Sequence, residues 1–321
     1  MIRDELKIID WLLFGRGRGV SFSSLGDWER LCNDVFQPWE MTIDRAIAGG
    51  FLADRLSYAF AAGFRSALSS LIPAIPMNRF VAFCVTEENG GGHPRSIRTS
   101  IERVQSDTGE GWRLNGGKKY ITMADEAELL LVAASSGFAH GHNQVQVVII
   151  KRDSPGVTVE PMELPILPEI SHGVVLLDNV TVQESHLLPG DGYLEYVKPF
   201  RTIEDLHVNA SVLGYLFRLS SDYHWAPPVR EQMLAIITAA RALAGAYPLA
   251  YQVHVALGGL HRQMEHLLEV ISPFWEEVDE KTRKGWMRDS ALLHVAGSAR
   301  ARRLERAWEH YTAREDNAGN A

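Results

Sequence analysis

The sequence predicts an α+β chain in which a central β barrel or sandwich follows one helical segment and precedes a helical bundle. Three observations carry this. Apolar residues recur at three- and four-residue steps over 1–78, switch to two-residue steps over 79–192, and return to helical steps over 193–321. Glycine and proline clusters separate short strands within the middle segment. No strand–helix–strand alternation interrupts this order, which makes a Rossmann arrangement a poor fit.

The elements follow in chain order. The IIDWLLF stretch near the N-terminus reads as one amphipathic helix, and the Gly15–Gly19 alternation of glycine with arginine as a basic turn. Trp28, Leu31, Val35 and Trp39 mark the buried face of a second helix. Leu52, Leu56, Phe60, Phe64, Leu68 and Leu71 mark a further one over 52–72, which Pro73 and Pro76 stop. In the middle segment Val81, Phe83 and Val85 alternate, as do Val145, Val147 and Ile149. Asn115-Gly116 signals a hairpin turn between two strand runs. Further strands are expected at 129–133, 157–160 and 173–177. Beyond, Ile203, Leu206, Ala210, Leu213 and Phe217 stripe one helix, with Thr202 as its N-cap and Asp205 three residues on. Pro227-Pro228 break the chain before helices at 229–246, 249–271 and 286–312.

Composition narrows the function. A formal net charge of -8 argues against a general nucleic-acid binder, which presents a basic field. Two cysteines, Cys32 and Cys84, make neither a disulfide framework nor a four-thiolate zinc site, so a reducing, cytoplasmic setting is expected. No apolar run approaches the roughly 20 residues that span a bilayer, and no cleavage site follows the first apolar stretch. The 12 histidines lack metal-binding spacing. Arg300, Arg302, Arg303 and Arg306, beside Glu305 and Glu309, read as a solvated helix face.

Two stretches carry chemistry. In Phe83-Cys84-Val85-Thr86-Glu87-Glu88-Asn89-Gly90-Gly91-Gly92-His93 a strand runs into a threonine and three glycines. Glycines let backbone N–H groups converge on an anion, and the threonine adds a hydroxyl donor. The same residues suit a flexible hairpin. Some thirty residues on, Tyr120 and Thr122 fall two apart on one strand, an aromatic ring and a hydroxyl suited to a planar cofactor or simply to solvent.

Order and spacing together resemble the acyl-CoA dehydrogenase family. There a strand ending in T-E-P-x-x-G-S-D precedes L-N-G-x-K-x-W-I-T, and here Leu114-Asn115-Gly116-Gly117-Lys118-Lys119-Tyr120-Ile121-Thr122 follows the second pattern. The later LLLVAAS and LLDNVTVQESHLLPGDGY also match. The resemblance is specific over about residues 80–192 and continues more weakly on both sides. It implies FAD as cofactor, contacted by Phe83, Val85, Thr86, Gly91 and Gly92 from the first motif and by Tyr120 and Thr122 from the second. It also implies an acyl thioester substrate on CoA or a carrier protein. An electron-transfer flavoprotein or another acceptor, and a homodimer or larger assembly, come with it. The family's Pro, Ser and Asp become Glu88, Gly92 and His93, and its tryptophan becomes Tyr120.

The reaction needs a carboxylate to remove the α-proton. Most members supply it from a loop near the C-terminus, before which this chain ends. A subgroup supplies it from the first long helix after the β domain, in L-E-R-L-x-x-x-x-x-x-L-G. Glu204-Asp205-Leu206, six residues and Leu213-Gly214 match that spacing, making Glu204 the candidate base and Asp205 the runner-up. A first-turn acid also serves the helix dipole alone. Arg230 falls where the family's R-x-x-F-G arginine reaches FAD phosphates, without the Phe-Gly. The family's C-terminal Gly-Gly-x-Gly-Tyr phrase is absent. Three functions stay open: acyl thioester dehydrogenation with FAD, a non-catalytic homologue serving binding or assembly, and a flavin-dependent oxidase or monooxygenase.

Overall fold

The computed structural model describes residues 6–15, 21–36, 38–76, 78–88, 92–106 and 109–318. The chain divides into two compact units, residues 1–70 with 202–321, and residues 71–201.

The first unit is helical: α1 (Lys7–Phe14), α2 (Leu25–Phe36), α3 (Thr42–Leu52), α4 (Leu56–Leu71), α5 (Lys198–Asp222), α6 (Pro227–Ala244), α7 (Tyr251–Ile271), α8 (Glu280–Asp289), α9 (Leu292–Val295) and α10 (Gly297–Ala318). Residues 205–217 of α5 are buried on every side, so this helix is the unit's core and the others wrap it. Its backbone approaches those of α3 and α4 closely. A Cβ at Gly50 would meet the Ser211 carbonyl oxygen at 1.9 Å, and one at Gly63 the Val208 Cα at 2.6 Å. The α2 face is turned from the expected one: Leu25, Trp28, Cys32 and Phe36 are buried, while Leu31 and Val35 are only partly covered. The pattern over 52–72 resolves into α4 alone, with Leu52 closing α3. Nearly all of α3 is buried, so it shows no apolar stripe against a polar one.

The second unit is one seven-stranded sheet: β1 (Val81–Cys84), β2 (Ser100–Ser106), β3 (Gly109–Thr122), β4 (Leu129–Ala139), β5 (His142–Lys151), β6 (Val157–Pro161) and β7 (His172–Val182). The order is β1-β4-β2-β3-β7-β6, with β5 also on β4. Strands far apart on this path share one core of Ala82, Cys84, Leu114, Val132, Val148 and Val175, so the sheet curls. The expected architecture of helices, central β domain and helical bundle is the observed one.

Several local expectations need correction. Asn115-Gly116 is no hairpin turn, because β3 runs through it. The register slips between Leu114 and Gly116, making a bulge. Gly116 takes φ +144° and packs so close to Thr99 that a Cβ would stand 2.7 Å from its Cα. Asn115 Oδ1 meanwhile accepts from the Asn179 N–H at 2.7 Å. Thr202 caps nothing: α5 is preceded by a π-helical turn at Gly192–Val197, whose N-cap is Asp191, accepting from the Tyr193 and Leu194 N–H groups. The expected helix over 286–312 is broken into α8, α9 and α10. Arg300 and Arg303 do not face solvent; both turn inward to the buried Asp205 carboxylate, whereas Arg302 and Arg306 are exposed. The Gly-Arg turn lies outside the described residues beyond Gly15.

Candidate functional site

In the sheet unit, the two motifs meet where β1 ends beside the last part of β3. The Thr86 carbonyl accepts from the Lys119 N–H at 2.8 Å. The Lys118 side chain, 1% exposed, crosses to Glu87 Oε1 at 2.7 Å and to the Val85 carbonyl at 3.3 Å. Glu87 also accepts from the N–H groups of Arg98 and Thr99 at 3.0 Å and from the Thr99 hydroxyl at 2.9 Å. Burial by itself would raise the Glu87 carboxyl. Hydrogen bonds from Lys118 and Thr99, with the lysine charge, hold it below the usual carboxylate range instead. Burial holds the Lys118 ammonium below its ordinary range, against the pull of Glu87. Sequence reasoning gave neither residue a role. Their types and order were visible, but their pairing needed the register of the sheet.

Phe83 lies in β1, buried, its ring edge-on to Phe200 at 5.0 Å. Val85 and Thr86 are half-buried just beyond the strand. Gly92 is buried, and a Cβ there would meet the Val85 side chain at 2.8 Å and an Arg201 nitrogen at 3.0 Å. Gly91 lies outside the described residues.

Tyr120 is the unusual residue. Its backbone sits at φ +60°, where a non-glycine residue is strained, and its ring is 53% exposed. The register shows why: Lys118 pairs with Val175 but Ile121 with Gly173, so one extra residue of β3 bulges here. Simple alternation therefore does not carry from Tyr120 to the half-buried Thr122. The hydroxyls of Thr86 and Thr122 make no hydrogen bond among the described residues. An exposed ring and two hydroxyls without partners among the described residues fit a planar, polar-edged cofactor such as a flavin. A separate cavity of about 510 Å³ is lined by Glu87, Lys118 and Lys119, but not by Thr86, Tyr120 or Thr122.

Glu204 and Arg230 belong to the helical unit. Glu204 lies within α5, half-buried and partnered. Arg230 stands in the first turn of α6, and its buried Nε has no hydrogen-bond partner among the described residues. An orphaned guanidinium N–H suits a phosphate oxygen. Asp205 is disqualified as a base by its two arginines, Arg300 at 2.9 Å and Arg303, which occupy both carboxylate oxygens. No group of three or more metal-ligating side chains occurs among the described residues, and no described helix is long and apolar enough to cross a membrane.

The fold and these motifs define a class before any family. A solved structure described as an FAD-dependent dehydrogenase superposes with a TM-score of 0.69 at 14% identity, over 95% of this chain and 97% of that one. At that identity the likeness establishes fold alone. Sequence goes further: the acyl-CoA dehydrogenase middle domain matches residues 82–180. Benzylmalonyl-CoA dehydrogenase of Aromatoleum aromaticum is 32% identical over 132 residues, covering 38% of this chain and 32% of that protein. Glutaryl-CoA dehydrogenase of Desulfococcus multivorans is 30% identical over 125 residues, covering 38% and 31%. Residues 82–180 are thus similar to the middle domain of the acyl-CoA dehydrogenases, and each of these matches spans about a third of the relative's length.

Proposed function

We propose that the protein is an FAD-dependent oxidoreductase that removes the α- and β-hydrogens of an acyl thioester carried on CoA or a carrier protein. The observation that carries this reading is Tyr120. An aromatic residue held in a strained left-handed conformation, its ring half in solvent, costs about 1–3 kcal/mol that a purely structural strand would relieve. The glutaryl- and benzylmalonyl-CoA dehydrogenases, similar to this chain over 125 and 132 residues, act on acyl-CoA substrates by name.

Thr86, Gly92, Tyr120 and Thr122, with Phe83, Val85 and Gly91, would hold the flavin ring side, and Arg230 its phosphates. Bound FAD supplies the acceptor for the hydride leaving the β-carbon. Glu204, half-buried in α5, would take the α-proton onto a carboxylate oxygen. The family reading adds a homo-oligomer and a separate electron acceptor.

The test is the visible spectrum of the purified protein, before and after adding FAD and desalting. A retained flavin spectrum is expected, with thioester turnover that Glu204→Gln abolishes while leaving bound flavin unchanged. Turnover retained in that variant removes Glu204. A colourless protein that refuses FAD replaces this reading with the non-catalytic homologue. Oxygen consumption without an added acceptor would instead assign the oxidase.

A further inference from the structure

The helical unit holds a second cavity, of about 360 Å³, between α7 and α10. Its walls divide by chemistry. Leu257, Leu293 and Leu304 supply an apolar body, while Arg262, Arg300 and Arg303 bring three guanidinium groups against one lining carboxylate, Glu265. Arg300 and Arg303 are held in place by Asp205 behind them; Arg300 also donates to the Leu293 carbonyl and Arg303 to the Thr202 hydroxyl at 3.3 Å. These ties leave the two side chains preorganised before any ligand arrives.

Two further groups on the lining are unspent. Arg262 has no ion-pair partner among the described residues. The His261 Nε2 is buried without a hydrogen-bond partner among them, which is unfavourable unless something else satisfies it. Burial lowers the His261 imidazole to about 4, with Arg300 and Arg303 adding to the effect against Asp205. Its ring is therefore neutral at pH 7 and offers one N–H without adding charge.

We propose that this cavity is a binding site for a small organic carboxylate with an apolar body. The carboxylate would meet Arg262 and the His261 N–H, and the hydrocarbon would lie against the three leucines. A purely inorganic anion leaves the leucines unused, and a cation is opposed by the arginines. The volume is at the lower end of small-molecule pockets. This site is built from the helical unit alone and does not depend on the flavin reading.

Calorimetric titration of the full chain with hexanoate tests it, with acetate, hexanol and hexylamine as comparisons. Hexanoate is expected to bind on the order of tenfold or more tightly than acetate, which lacks the apolar body, and than hexanol or hexylamine, which lack the negative charge. Arg262→Gln, on an exposed position, should weaken hexanoate by about tenfold. Ala301→Phe, which sets a ring on the exposed lining of the same cavity, should block it while circular dichroism shows the fold intact. No measurable hexanoate binding overturns the proposal, as does equal binding of hexanoate and hexylamine. Binding unaffected by both substitutions overturns it too.

Discussion

Lys118 Nζ lies 2.7 Å from Glu87 Oε1, buried, and this bond joins two sequence motifs thirty-one residues apart. The motifs are tied a second time by the Lys119 N–H to the Thr86 carbonyl. The end of β1 and the bulged part of β3 are thus tied together, and Thr86 and Tyr120, each next to a tied residue, inherit their positions from the Lys118–Glu87 pair.

Lys118→Met should therefore destabilise the sheet unit by roughly 1–3 kcal/mol, because it removes the ion pair and leaves the half-buried Glu87 carboxylate with only its Arg98 and Thr99 donors. Adding Glu87→Gln to the same chain should recover part of that loss. Urea unfolding of the two variants, in a double-mutant comparison, measures both terms. A loss below about 1 kcal/mol for Lys118→Met would show that the pair is incidental.

The bulge at Tyr120 predicts a separation of stability from flavin retention. Asparagine tolerates the left-handed region better than tyrosine, so Tyr120→Asn should change folding stability by less than about 1 kcal/mol. Loss of the ring should nonetheless weaken FAD by on the order of tenfold. Thermal unfolding of the flavin-free protein and FAD titration give the two numbers.

His207 sets an acid limit on the helical unit. Its Nδ1 donates to the Ile203 carbonyl at 2.7 Å and its Nε2 accepts from the Thr42 hydroxyl at 2.9 Å, the neutral tautomer. Burial lowers it from 6.5 to about 4. Between these values the unfolded chain binds a proton that the folded one refuses, so stability falls as pH falls from 6.5 towards 4. The full effect is roughly 3 kcal/mol. Unfolding free energies against pH should show this slope, and His207→Gln should reduce it, leaving the share that His261 contributes.

Two glycines should respond oppositely to alanine. At Gly50 a Cβ would stand 1.9 Å from the Ser211 carbonyl oxygen, so Gly50→Ala must push α3 from α5 and cost at least about 2 kcal/mol. At Gly259, within α7, nothing lies within 4 Å, and Gly259→Ala should stabilise by about 0.5–1 kcal/mol through helix propensity. Equal effects at both positions would contradict the close packing of α3 on α5.

The sequence by itself determined what periodicity and residue type encode. The change of apolar step from helical to two-residue and back gave helices, a β domain and a helical bundle, and the T-E and N-G-x-K phrases located the family's middle domain. Tertiary structure decided whatever depends on partners distant in the chain. Asn115-Gly116 favours a turn locally, but pairing of β3 with β7 on both sides makes it a bulge. Thr202 looks like a helix start, yet Asp191 begins the helical path eleven residues earlier. Arg300 and Arg303 resemble a solvated face until Asp205, ninety-five residues away, draws them inward. In each case short-range preference amounts to a kilocalorie or so, and a buried charge or a strand register outweighs it. Lys118 and Glu87 were legible as letters of a motif, but only the curled sheet brought them within 2.7 Å.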